Sequence, residues 1–236
     1  MSTVESGLQA VRARIAAAAA TAGRSADDVA LIAVSKTFPA EAVLEAVAAG
    51  QFAFGENHAQ EGVDKIDRVR ARLPEPLLRA VQWHFIGPIQ SNKTRPIAEH
   101  FDWVHSVDRL KVAERLSRAR PPGMPALQVC IQVNVSGEAS KSGVAPQGAA
   151  ALAAALRSLP GLRLRGLMAI PRPTADPAEQ RAQCRILREL LEDLKRQGLP
   201  LDTLSMGMSD DLEAAIAEGA TMVRVGRAIF GERARR

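Results

Sequence analysis

The chain has 236 residues, 47% of them apolar and 3% aromatic, with no tyrosine, two cysteines and a net charge of +5. That is ample apolar chain for a core, which excludes a disordered protein, and the basic excess is scattered singly, apart from residues 233–236, rather than clustered with aromatics as a nucleic-acid surface requires. With no apolar run of membrane-spanning length, no basic-then-apolar leader, and Cys130 and Cys184 placed in an apolar strand and a helix, a cytoplasmic protein of a reducing compartment is expected.

Ser2 and Glu5 have the spacing of a capping box, and Val4, Leu8, Val11 and Ile15 make one apolar stripe, so the chain opens with a helix that Gly23 ends. Strands are then expected over residues 30–36, 52–57, 82–87, 102–107, 127–135, 163–170, 203–208 and 222–226. Most are nearly continuous apolar runs, as parallel strands covered on both faces should be. Helical faces lie between several of them. Val43, Leu44 and Val47 precede Gly50, and Val63, Ile66, Val69 and Leu73 share one side. Leu110, Ala113 and Leu116 follow Asp108, and Ala151, Leu152, Ala155 and Leu156 precede Pro160. Asp176-Pro177 caps a helix carrying Leu187, Leu191 and Leu194, and Ser209 is read as the cap of one holding Leu212 and Ile216.

Eight strands alternating with helices predict an α/β fold, a single (β/α)8 TIM barrel domain over residues 1–236. The extra amino-terminal helix would cover the wall that the short tail leaves open. A doubly wound open sheet is the alternative, but no dinucleotide glycine fingerprint follows the first strand. Two βα connections, 136–143 and 171–174, are long and rich in Gly, Ser and Pro, and read either as lids or as plain surface loops.

Lys36 closes the first apolar run. An ammonium buried without a partner is costly, so a lysine there tends to lose its proton or react, and a neutral amine facing a cavity makes Schiff bases with carbonyl compounds. A side chain turned out to solvent is the other reading. The remaining strands end in, or carry near their ends, Asn57, His84, Asn134, Met168, Ser209 and Arg224. Each has a mundane role available: a cap for Asn57, a satisfied core histidine for His84, a loop holder for Asn134. Barrels often bind phosphate at the loops after strands seven and eight, where Ser209 offers a hydroxyl and Gly226 permits close backbone approach. Asp210 and Asp211 oppose an anion there unless they face away. A reactive lysine across the mouth from such a cradle suits a phosphorylated aldehyde cofactor, and Arg224, which cannot give up its proton, would donate to an unprotonated ring nitrogen and leave a weak electron sink.

The motifs resemble those of the pyridoxal-phosphate homeostasis proteins, also called proline synthetase co-transcribed homologues. They are Leu31-Ile32-Ala33-Val34-Ser35-Lys36-Thr37, Phe54-Gly55-Glu56-Asn57 with Gln60-Glu61, Trp83-His84-Phe85-Ile86-Gly87 with Gln90, Asn92 and Lys93, and Gln132-Val133-Asn134. Lys141-Ser142-Gly143, Gly166-Leu167-Met168, Ser205-Met206-Gly207-Met208-Ser209-Asp210 and Arg224-Val225-Gly226 through Phe230-Gly231 complete the set in family order. The resemblance implies a barrel like that of alanine racemase, the type III fold of pyridoxal phosphate enzymes. It implies pyridoxal phosphate as an internal aldimine on Lys36, phosphate contacts from Ser209 and the Gly226 backbone, and Arg224 beside the ring nitrogen.

The cofactor-binding set is therefore Lys36, Asn57, His84, Met168, Ser209, Arg224 and Gly226, with no catalytic residue and no metal. The implied role is to carry or buffer pyridoxal phosphate without turnover, as a monomer, with enzymes that lack their cofactor as possible recipients. Two other functions remain, a racemase or decarboxylase of the same barrel type and a Schiff-base aldolase. Racemases of this fold resemble one another in using a tyrosine as the second base; this chain has none, though His84 is a substitute. An aldolase does not explain the whole motif set.

Overall fold

The computed structural model describes residues 2–138 and 141–232, so the basic tail 233–236 and positions 139–140 of the first long connection lie outside the described residues. Eight parallel strands close into one barrel in sequence order: β1 (Ala30–Val34), β2 (Ala53–Glu56), β3 (Gln82–Phe85), β4 (Trp103–Val107), β5 (Leu127–Gln132), β6 (Leu162–Met168), β7 (Thr203–Ser205) and β8 (Met222–Val225). β8 pairs back onto β1 with Arg224 opposite Ile32, which closes the cylinder and excludes the open doubly wound sheet.

Most strands stop short of the apolar runs that mark them. β1 ends at Val34, and β7 at Ser205 although its hydrogen bonding continues as far as the Gly207 carbonyl, which accepts from Arg224 N–H at 2.9 Å. Gly207 has φ +95°, a left-handed value that turns the chain out of the sheet and that glycine reaches without steric cost. Lys36, Asn57 and Ser209 therefore stand in the loops beyond their strands rather than on them.

The helices that wrap the barrel are, in order, α1 (Thr3–Thr21), α2 (Ala40–Ala48), α3 (Ala59–Arg70), α4 (Glu75–Ala80), α5 (Thr94–His100), α6 (Leu110–Ala119), α7 (Ala149–Leu156), α8 (Pro177–Arg196) and α9 (Leu212–Ala217). Helices at Glu75–Ala80 and Thr94–His100 carry no sequence signal; the second has a proline in its first turn and buries only Thr94, Ile97 and Ala98, too few to show a period. The core lies in the annulus between sheet and helices, where Leu31, Ala33, Phe54, Trp83 and Phe85 meet Val43, Ile66, Leu187 and Ile216. Strand residues of the opposite parity face the axis, where polar His84, His105, Ser205 and Arg224 join apolar residues such as Ile32, Trp103 and Met168.

Among the described residues a four-residue helix, α10 (Arg227–Phe230), follows β8, and α1 packs on α9 and α10 beside it. Gly7 makes this possible: a Cβ there would lie 2.7 Å from the carbonyl oxygens of both Ala228 and Ile229. Ser2 caps α1 by accepting from Glu5 N–H at 3.2 Å, and Asp176 caps α8 through Ala178 N–H at 2.9 Å.

Candidate cofactor site at the barrel mouth

Ser35 to Phe38 form a tight turn closed by Phe38 N–H donating to the Ser35 carbonyl at 3.0 Å. Lys36 is its second residue and is half-buried. Ile32 and Val34 face the axis, since a Cβ on axial Gly55 would touch both, and Lys36 follows two residues beyond Val34. The third residue, Thr37, has φ +69°, the one left-handed non-glycine residue among those described. For a β-branched side chain this conformation costs roughly 1–3 kcal/mol and persists only where the surroundings impose it.

The surroundings are an ion cluster on the outer side of β1 and β2. Glu56 Oε1 accepts from Ser35 Oγ and from Lys65 Nζ of α3, each at 2.6 Å, and Lys65 also donates to the Ser35 carbonyl at 2.7 Å. Glu61 Oε1 stands 3.3 Å from Lys65 Nζ and accepts from Thr37 N–H at 2.5 Å. Glu56 is wholly buried, and burial pushes its carboxyl up against the opposing pull of Lys65.

Inside the barrel a second network runs across four strands. Buried Arg224 donates from Nη1 to Ser205 Oγ at 2.6 Å and from Nη2 to the Ala169 carbonyl at 2.8 Å, so the guanidinium crosses from β8 to the ends of β6 and β7. His105 Nδ1 is 2.8 Å from Ser205 Oγ, and its Nε2 is 2.9 Å from His84 Nδ1. Arginine only donates, so Ser205 accepts from it and its own hydrogen goes to His105 Nδ1. His105 then carries its proton on Nε2 and donates to His84, whose proton sits on Nε2. That last atom is buried with no hydrogen-bond partner among the described residues. Both rings must be neutral for this chain to hold. Burial drives His84 down to about 3 and His105 well below its usual value, and lowers Arg224 to about 10, still charged at neutral pH. His84 stacks on Trp103, and Met168 packs with Trp103 and Cys130 in a small axial cluster.

The other expected residues are less uniform. Asn57 is half-buried, and its buried Oδ1 has no hydrogen-bond partner among the described residues. Asn134 holds its own loop, donating to the Glu138 carbonyl at 2.8 Å and accepting from Gly137 N–H at 3.1 Å, the mundane role open to it. Ser209 is not a helix cap. Asp211 occupies the cap position of α9 and accepts from Met208 N–H at 2.6 Å, while the Ser209 hydroxyl makes no hydrogen bond among the described residues. Asp210 turns to Arg227 at 3.6 Å, tying the loops after β7 and β8 together. Gly226 begins α10, but its missing side chain is filled by β1: a Cβ there would lie 3.0 Å from the Val34 carbonyl oxygen. Its need for glycine is thus met by strand packing, whatever else approaches its backbone.

A half-buried lysine in the turn after β1, a buried arginine with N–H donors to spare inside the barrel, an idle serine hydroxyl and a buried acceptor without a donor are residue types that suit a polar aromatic aldehyde with an anionic tail. Sequence reasoning missed His105, Ser205, Glu61 and Lys65 as parts of the site. His105 and Ser205 were legible only as polar residues of axial parity in otherwise apolar strands.

The model of the alanine racemase N-terminal domain matches residues 7–234. The chain is 64% identical over 233 residues to the pyridoxal phosphate homeostasis protein of Pseudomonas aeruginosa, covering 99% of this chain and 97% of that protein. Among solved structures, PipY of Synechococcus elongatus with PLP bound superposes with a TM-score of 0.83 at 38% identity, over 97% of this chain and all of that one. The alanine racemase of Corynebacterium glutamicum, at 18% identity and a TM-score of 0.68 over 95% of this chain and 62% of its own, shares the fold. A match of that identity along nearly the whole of both sequences means that the chain belongs to the pyridoxal phosphate homeostasis proteins, within the family of the alanine racemase N-terminal domain.

Proposed function

We propose that this protein binds pyridoxal phosphate at the barrel mouth and serves its homeostasis, holding the cofactor covalently on Lys36. The observation that carries the reading is the pairing of a half-buried lysine, Lys36, in the turn that follows β1 with Arg224, buried inside the barrel and held by Ser205 and Ala169. The cofactor supplies an electrophilic aldehyde carbon, to which an amine attaches with loss of the aldehyde oxygen as water. Lys36 provides that amine. Ser209 and the backbone amides after Gly226 would hold the phosphate, Arg224 would donate to the ring nitrogen, and Asn57, His84 and Met168 would line the ring's surroundings. Borohydride reduction of the loaded protein followed by peptide mapping should place the adduct on Lys36, and Lys36→Ala should lose its absorbance band while staying folded. An adduct mainly on Lys141, which pairs with Glu138 at 2.8 Å, would overturn the assignment.

The protein is further read as a carrier without amino-acid turnover. The chain has no tyrosine to act as a second base, and His84, held at about 3 by burial, is too weak a base at neutral pH to replace one. Arg224 at the ring nitrogen would keep the ring a poor electron sink. Incubation of amino acids with excess loaded protein in deuterated water should leave their α-protons in place by NMR; sustained exchange that vanishes in Lys36→Ala would make it an enzyme. A monomer is supported by the scatter of the exposed large apolar residues among those described, Leu110 and Ile186 on different helices and Ile170 in the connection after β6. Two free buried thiols support a reducing, cytoplasmic setting, and among the described residues no helix is long and apolar enough to cross a membrane. Enzymes awaiting their cofactor are the proposed recipients.

A further inference from the structure

The peptide groups on both sides of Lys36 are bound by one ion cluster. The carbonyl before it, of Ser35, accepts from Lys65 Nζ at 2.7 Å; the N–H after it, of Thr37, donates to Glu61 Oε1 at 2.5 Å. Lys65 and Glu61 are themselves paired at 3.3 Å, and both lie on α3, one helical turn apart. Thr37, caught between, is left-handed at φ +69°. It is exposed and its hydroxyl makes no hydrogen bond among the described residues, so nothing in its own side chain favours that conformation. The turn is of the kind that requires a positive φ at its third residue, where glycine is the usual occupant. Threonine there must be held from outside, and among the described residues it is Glu61 that accepts from its backbone N–H.

We propose that Glu61 is a positioning residue for Lys36: with Lys65 it clamps the turn in its strained form and so fixes the direction in which the lysine amine enters the mouth. This rests on the reading of Lys36 as the amine that takes the aldehyde. Release of Thr37 N–H would let residue 37 relax to negative φ, and the peptide plane between Lys36 and Thr37 would rotate with it. Lys36 would keep its chemistry and lose its aim. A purely stabilising role for the cluster is a different claim. It predicts losses in proportion to stability and no dependence on the residue at 37.

The experiment is a titration with pyridoxal phosphate, following adduct absorbance across pH, with urea denaturation run in parallel. Glu61→Ala should weaken adduct formation by roughly tenfold, the scale of one hydrogen bond to a charged acceptor. Glu61→Gln keeps an acceptor oxygen and should stay near the parent. In Glu61→Ala/Thr37→Gly the adduct should return, because glycine takes positive φ without the clamp, while the urea midpoint need not. Thr37→Pro, which forbids positive φ and removes the N–H with Glu61 untouched, should lose the adduct and gives an independent measurement if Glu61→Ala does not fold. Failure of the parent to form an adduct on Lys36 would overturn the functional reading and this inference together. A normal parent adduct with Glu61→Ala or Thr37→Pro binding equally well, or with no recovery in the glycine double variant, would overturn the clamp alone.

Discussion

Replacing His84 with glutamine should flatten the acid side of the stability profile by about 1.4 kcal/mol per pH unit between pH 6.5 and about 3. The buried imidazole titrates near 3 in the folded protein and near 6.5 when exposed. Above that window both states are neutral and nothing is gained or lost. Within it the unfolded chain takes up a proton that the native ring refuses, so stability falls as pH falls. Glutamine keeps an oxygen to accept from His105 and has no proton to gain. His105, lowered by the same burial, continues to contribute in both proteins. So do the buried carboxyls of Glu56, Asp102 and Asp211, whose raised values act in the opposite sense and cancel in the difference. Urea midpoints at intervals from pH 7.5 to 4 make the comparison, and parallel profiles would mean that His84 titrates normally.

Lys65→Met should be the most damaging single change at neutral pH. It leaves the Glu56 carboxylate, wholly buried, with Ser35 Oγ as its remaining donor. Breaking one side of a buried pair costs about 3–5 kcal/mol, which lowers Tm by roughly 6–20 °C in a protein of this size. The variant also has a signature in pH. Without its counter-ion Glu56 would have a folded pKa far above its unfolded one, so the folded state binds the extra proton. The deficit is therefore smallest below the unfolded carboxyl range and grows as pH rises through the folded value. Adding Glu56→Gln should restore most of the loss, since the amide oxygen still accepts from Ser35. A pH-independent deficit, or no recovery in the double variant, would show that the pair contributes packing rather than charge compensation.

The fold was legible because each strand is an apolar run long enough to be covered on both faces, and eight of them alternate with helical stripes. What the pattern could not supply was where strands stop. Apolar residues continue past the last ladder bond at β7, and Gly207 ends it through its dihedral angle, which composition does not display. Of the candidate site, the sequence marked the residues whose type is unusual for their position, Lys36 just past the end of the first run and Arg224 inside the last. The site was obscure where the partner is distant in sequence. His105 and Ser205 are 100 residues apart and meet only when the barrel closes. The cap role that Ser209 also offered falls to Asp211, two positions later, because Ser and Asp are both good cap residues and the pattern does not choose between them. The strain at Thr37 has no sequence signal at all, since threonine is a poor choice for a left-handed turn.

The lodging of α1 against α10 and α9 has a bearing on synthesis. On the ribosome α1 exposes Val4, Leu8, Val11 and Ile15 long before α9 and α10, which supply most of the surface it packs on, have been made. Likewise β1 waits for β8 to close the cylinder. Throughout translation, then, one apolar stripe and one strand edge at the amino end stay unpartnered, the condition under which nascent chains recruit holding chaperones or associate with one another. Closure joins segments separated by nearly the full length of the chain, so the final docking is a slow, long-range step, and it is the step that brings the Gly226 end of β8 alongside the strand leading to Lys36. Competence to bind at the mouth therefore waits on the joining of β8 to β1.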